Sequence, residues 1–119
     1  MLLVAAALIF LVGCAHSYLG ERYLLIRLFK RGNLPELLGG TEFTRGTLRF
    51  AWHITTVAWW AFALLLVLAH VGQLSVTNVL YVIAGAALVS AVLPIMFTRG
   101  KHLSWVAFLL VAALVLFAA

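Results

Sequence analysis

The sequence predicts an all-α integral membrane protein: a bundle of four transmembrane helices, both termini outside, with a basic cytoplasmic loop between helices 1 and 2. Of the 119 residues, 66% are hydrophobic and only 9% are charged, whereas a soluble domain is roughly 25% charged. Four long apolar runs and a one-sided distribution of basic residues support the same class. We expect a single transmembrane domain over residues 1–119.

The apolar runs cover residues of about 2–20, 50–71, 78–97 and 103–119. Each is close to the roughly 20 residues with which a helix crosses about 30 Å of hydrocarbon, although the last run is the shortest. Alternation is absent, and the runs are about twice as long as a transmembrane β-strand of roughly 10 residues. The runs therefore predict four helical spans.

Arginine and lysine mark one side of this predicted domain. They lie in or beside the first and third loops: Arg22, Arg27, Lys30, Arg31, Arg45, Arg49, Arg99 and Lys101. The second loop and both termini carry none. Because basic loops stay in the cytoplasm, we expect a multi-pass protein of the cell inner membrane with both termini outside. This rule also accounts for the net charge of +5, and no basic module typical of nucleic-acid binding is present.

The stretch "LVGC" at residues 11–14 is similar to the lipidation signal of bacterial lipoproteins. The preceding "MLLVAAALIF" lacks the basic residues that a signal peptide requires, and cleavage would remove most of the first span. We expect Cys14 to be a small apolar residue of the helix, as free cysteines often are.

Histidines from three predicted spans share one depth near the cytoplasmic edge. His16 lies about one turn from the end of the first span, His53 lies about one turn into the second, and His102 begins the fourth. Glu21 follows the first span closely, whereas His70 lies at the outer end of the second. Ionisable residues inside a membrane are costly and usually face the protein interior. A functional site is one interpretation, and ordinary hydrogen bonding at helix ends is the other.

Haem b fits part of this pattern as an electron-transfer cofactor. His16 and His53 could supply two axial imidazoles, and Arg49, one turn from His53, could pair with a haem propionate. Gly13 and Gly20 share the helix face of His16 and would leave space for a flat macrocycle. Trp60 lies seven residues from His53 and could form a wall of the pocket.

A divalent metal such as zinc is the alternative cofactor. His16, His53 and His102 could be ligands, with Glu21 as the fourth ligand or as a hydrogen-bonding partner of one of them. Glu21 lies about 140° around the helix from His16 at 100° per residue, which weakens this option. Glu21 could equally form an ion pair with Arg22, Arg49 or Arg99.

The third span predicts close helix packing. Ala87, Ser90 and Ala91 have the small-residue spacing that lets helices approach, and Pro94 predicts a kink. A non-catalytic accessory or assembly subunit, docked on other membrane subunits or on a second copy through this face, is therefore the alternative function. Small multidrug transporters share the size and span number, but their first helix carries an acidic residue at its middle, and this one has none.

Overall fold

In a computed structural model that describes residues 1–119, the chain forms four helices and no strand. We number them α1 (Leu2–Phe29), α2 (Glu42–His70), α3 (Val76–Thr98) and α4 (Ser104–Ala118). The all-helical class is confirmed. The first three helices are long and apolar enough to cross a membrane. The fourth has 15 residues, a length of about 22 Å at 1.5 Å per residue, so it is shorter than the span predicted there.

The helices lie side by side in chain order, and the expected bundle takes the form of an open layer. Each helix packs mainly on its neighbours along the chain. The principal dimensions are 51 × 32 × 14 Å, and the smallest is close to the thickness of one helix. Only 18 of 119 residues are buried, so both faces of the layer are open. We call the end that carries all lysines and arginines the basic end.

A π-helical turn at Gly20–Leu25 adjusts the path of α1. The buried residues of α1 are Ala6, Gly13, Gly20, Leu25 and Phe29. Their spacing is seven residues until Gly20 and then five to Leu25, which in a regular α-helix would rotate the next buried side chain by about 140°. The wider π turn absorbs the additional residue. As a result, α1 continues to Phe29, nine residues beyond its predicted end.

The small residues of α3 are buried within the chain. Ala84, Ala87 and Ala91 are at most 7% exposed, and Pro94 is fully buried beside them. On α2, Gly46 comes so close to α3 that a Cβ atom would lie 2.9 Å from the carbonyl carbon of Phe97. The face predicted to dock other subunits is thus occupied by the neighbouring helices of the same chain.

Candidate functional site

The contact between α1 and α2 near the basic end holds five polar side chains that bond to one another. Arg49 of α2 reaches the Glu21 carboxylate of α1 with Nη2 at 2.7 Å and Nε at 3.2 Å. Oε2 of Glu21 also lies 2.9 Å from Nε2 of His53. Oγ of Ser17 lies 2.8 Å from Nδ1 of His53 and 2.6 Å from Oγ1 of Thr56. We call these five residues the Glu21–His53 network.

Helical spacing explains why these side chains meet. Ser17 and Glu21 are four residues apart on α1, and Arg49, His53 and Thr56 follow one face of α2. The side chains of Glu21 and His53 are 29% and 18% exposed. Glu21 lies about 29 Å along α1 from Leu2 at 1.5 Å per residue, close to the thickness of the hydrocarbon layer. The network therefore lies near the end of the first apolar run and the start of the second.

Donor and acceptor rules fix the hydrogens of the network when His53 is neutral. A carboxylate only accepts hydrogen bonds, so Nε2 of His53 carries the proton directed at Glu21. Nδ1 then accepts from the Ser17 hydroxyl, and Oγ of Ser17 accepts from the Thr56 hydroxyl. The hydrogens on Nε2 of His53, Oγ of Ser17 and Oγ1 of Thr56 therefore each have an acceptor.

A second arrangement satisfies the same groups when His53 carries two protons. Nδ1 then donates to Ser17, Ser17 donates to Thr56, and Thr56 donates to the carbonyl oxygen of Gly13 at 3.2 Å. Uptake of one proton therefore reverses two hydroxyls without leaving a donor unpaired. Unpaired polar groups are costly in a membrane, and in both arrangements the hydrogens of His53, Ser17 and Thr56 stay paired.

Haem does not fit the residues predicted for it. The rings of His16 and His53 bond to different groups: Nε2 of His16 lies 3.1 Å from the carbonyl oxygen of Trp52, while both nitrogens of His53 belong to the network. The space beside the two glycines is also filled. A Cβ at Gly13 would lie 2.8 Å from Nε1 of Trp60.

Gly20 and Arg49, which were predicted to leave space for haem and to pair with its propionate, make other contacts in the structure. A Cβ at Gly20 would lie 2.6 Å from Cζ2 of Trp52, so the bare face of this glycine holds an indole ring. Arg49, the predicted partner of a propionate, is bound to Glu21 and lies over the Phe29 ring, 5.0 Å from its centroid. Of the three arginines predicted to pair with Glu21, the structure selects Arg49.

The four predicted metal ligands are divided among three places. Glu21 and His53 are in contact, and His16 is stacked on Trp52. His102 lies elsewhere: its Nδ1 accepts from the backbone N–H of Ser104 at the start of α4, and its ring stacks on Phe43. No three histidine, cysteine or acidic side chains come together in a way that could hold a metal ion.

Sequence reasoning missed the contacts that the hydroxyls of Ser17 and Thr56 and the indole of Trp52 make in this region. Ser17 could have been found, because it lies four residues before Glu21 on the same helix face. The hydroxyl of Thr56 bonds to Ser17 and to the carbonyl oxygen of Gly13, both on α1, and not to a carbonyl of its own helix. Comparison with family models, curated proteins and solved structures finds no match, so function has to be inferred from these residues.

Proposed function

We propose that the protein is a multi-pass inner-membrane protein with both termini outside, which acts as a non-catalytic accessory or assembly subunit of a larger membrane complex. A groove of about 560 Å³ beside the Glu21–His53 network carries this proposal. Cys14, Ser17, Tyr18 and Glu21 line it along one stripe of α1, and Trp60 of α2 closes its other side. The hydrogen-bonding side chains of Ser17 and Glu21 are thus exposed on a face of the helix layer that is otherwise apolar.

The cost of exposing polar groups to lipid supports a protein partner at this groove. The hydrocarbon of a bilayer offers no hydrogen bonds, whereas polar side chains of another helix can bond across a membrane interface. The layer has room for such a partner because it is about one helix thick. Tyr18 and Trp60, at the rim of the groove, are 63% and 41% exposed, and a partner helix with hydroxyl or amide side chains would cover them.

Position-specific photo-crosslinking tests the accessory role. A photoreactive phenylalanine at Tyr18 is expected to crosslink to one distinct membrane protein, whereas the same residue at Tyr23 is expected to give none. Tyr23 is a matched control because it is also exposed on α1, at 52%, but borders the other side of the α1–α2 contact. Crosslinked membranes are analysed by native electrophoresis and mass spectrometry, and Glu21→Leu should reduce the yield.

Two outcomes would contradict this proposal. Crosslinks from Tyr18 only to lipid or to a second copy would show that no different subunit covers the groove. The purified protein also tests the cofactors predicted from sequence. A low-spin haem spectrum lost in both His16→Ala and His53→Ala, or a stoichiometric bound metal, would favour electron transfer over an accessory role.

The proposed orientation is tested by cysteine labelling. In a Cys14→Ala background, Glu36→Cys at the basic end and Gln73→Cys at the opposite end place thiols in exposed loops. A maleimide that cannot cross membranes should label position 73 from outside and position 36 only after the membrane is opened. The reverse pattern would overturn the orientation, which rests on the one-sided distribution of basic residues.

A further inference from the structure

A second groove lies on the other side of the α1–α2 contact from the Glu21–His53 network. Its volume is about 470 Å³, and it shares no lining residue with the groove beside Glu21. Seven of its nine lining residues are hydrophobic. Its polar and aromatic side chains are His16, Tyr23, Trp52 and Trp59, so flat rings form much of its wall.

His16 and Trp52 form a rigid pair in this wall. Their rings are nearly parallel, with centroids 4.4 Å apart and planes at 5°. Nε1–H of Trp52 donates to the carbonyl oxygen of His16 at 3.0 Å, and Nε2 of His16 lies 3.1 Å from the carbonyl oxygen of Trp52. Trp59 meets the imidazole by its edge, with centroids 5.1 Å apart. The imidazole is therefore held in one position before any ligand arrives.

This arrangement fixes the tautomer of the His16 ring. A backbone carbonyl only accepts hydrogen bonds, so Nε2 must carry the hydrogen that bonds to Trp52. In the neutral imidazole Nδ1 is then a bare acceptor, and it has no partner among the protein's hydrogen bonds. His16 lines the groove, so an imidazole with one acceptor that no protein group uses lies among flat aromatic and apolar surfaces.

We propose that this groove binds a membrane-soluble quinol. A ring hydroxyl would donate to Nδ1 of His16, the aromatic ring would pack against Trp59, and the hydrocarbon tail would lie along Val12 and Leu19. Aromatic rings favour the stacked and edge contacts that such walls provide. An anionic headgroup is unsuitable because a lone pair on Nδ1 would face it without a donor.

The tautomer of His16 also determines which oxidation state of the ligand the groove prefers. A quinol carries hydroxyl donors, whereas a quinone presents only carbonyl oxygens, and two acceptors cannot bond to each other. We therefore expect the site to prefer the reduced form. This site is independent of the proposed subunit contact, because the two grooves lie on different sides of α1.

The experiment measures binding of decylubiquinol and decylubiquinone to the whole purified protein at pH 8 in nanodiscs. Tryptophan fluorescence should be quenched saturably, and the quinol should bind about fivefold more tightly than the quinone, the effect of one neutral hydrogen bond. In His16→Phe, which keeps a flat ring but has no acceptor, the preference should disappear. His70→Phe, at the far end of α2, should retain it.

Nitrogen NMR provides a measurement that does not depend on a variant folding. In protein labelled at histidine nitrogens, the Nδ1 resonance of His16 should move on addition of the quinol and stay in place with the quinone. Equal affinity for the two forms, absence of saturation, or equally tight binding of a saturated hydroxylated ring system such as cholestanol would overturn the proposal.

Discussion

Replacement of Gly46 by alanine is expected to destabilise the protein strongly, by more than loss of the Glu21 carboxylate does. A Cβ atom at this position would lie 2.9 Å from the carbonyl carbon of Phe97 and closer still to its oxygen. The obstacle is the backbone of α3, which cannot rotate away as a side chain can. Overpacking of this kind costs typically about 1–3 kcal/mol, and we expect a loss near the upper end of that range.

Gly85→Ala is the matched control for this effect. Gly85 also lies inside a long apolar helix, but no atom lies within 4 Å of a Cβ built on it. Alanine there should raise stability by about 0.5–1 kcal/mol, since glycine is the weaker helix former. Unfolding by sodium dodecyl sulfate in mixed micelles, followed by tryptophan fluorescence, measures both variants. If the two variants had equal stability, the close approach of α2 and α3 at Gly46 would be wrong.

Composition and residue spacing predict the helices of this protein more readily than they predict how the helices are arranged. Long apolar runs identify helices because backbone polar groups in lipid must be satisfied internally. The end of α1 at Phe29 was harder to predict, since the amphipathic segment after Glu21 could either extend the helix or lie along the membrane interface, and the structure shows the helix continuing through the π turn. The open layer depends on which helix faces pair, and apolar surface on all sides leaves that choice undetermined.

The candidate site illustrates the same limit. Its depth could be predicted, because Glu21, Arg49 and His53 all lie near the ends of apolar runs. The rotation of each helix about its own axis could not be predicted. This rotation places His16 on one side of the α1–α2 contact and His53 on the other. Gly13 and Gly20 were expected to leave space for a cofactor. Trp60 and Trp52 fill that space instead, because an indole on one helix complements a missing side chain on the next.

Removal of the Glu21 carboxylate is the second change with a large expected effect. In Glu21→Leu, Arg49 loses both of its bonds and His53 loses the acceptor of its Nε2 proton. The side chains of Arg49 and Glu21 are 31% and 29% exposed, so water offsets part of the loss. We expect a destabilisation of about 1.5 kcal/mol, the lower end of the range for hydrogen bonds to a charged group. Glu36→Leu, in an exposed loop, is the control and should change stability little.

The decisive measurement combines Glu21→Leu with Arg49→Leu. An unpaired charge at a membrane boundary costs more than a pair of apolar residues in the same place, so the double variant should be more stable than Glu21→Leu alone. The recovery should be incomplete, because the second change also removes the packing of the guanidinium on Phe29. Glu21→Leu with His53→Phe should recover less, since a neutral imidazole keeps its bond to Ser17 even without the carboxylate. Additive losses in the Glu21→Leu, Arg49→Leu double variant would contradict the Glu21–Arg49 ion pair, because residues that do not interact contribute independently to stability.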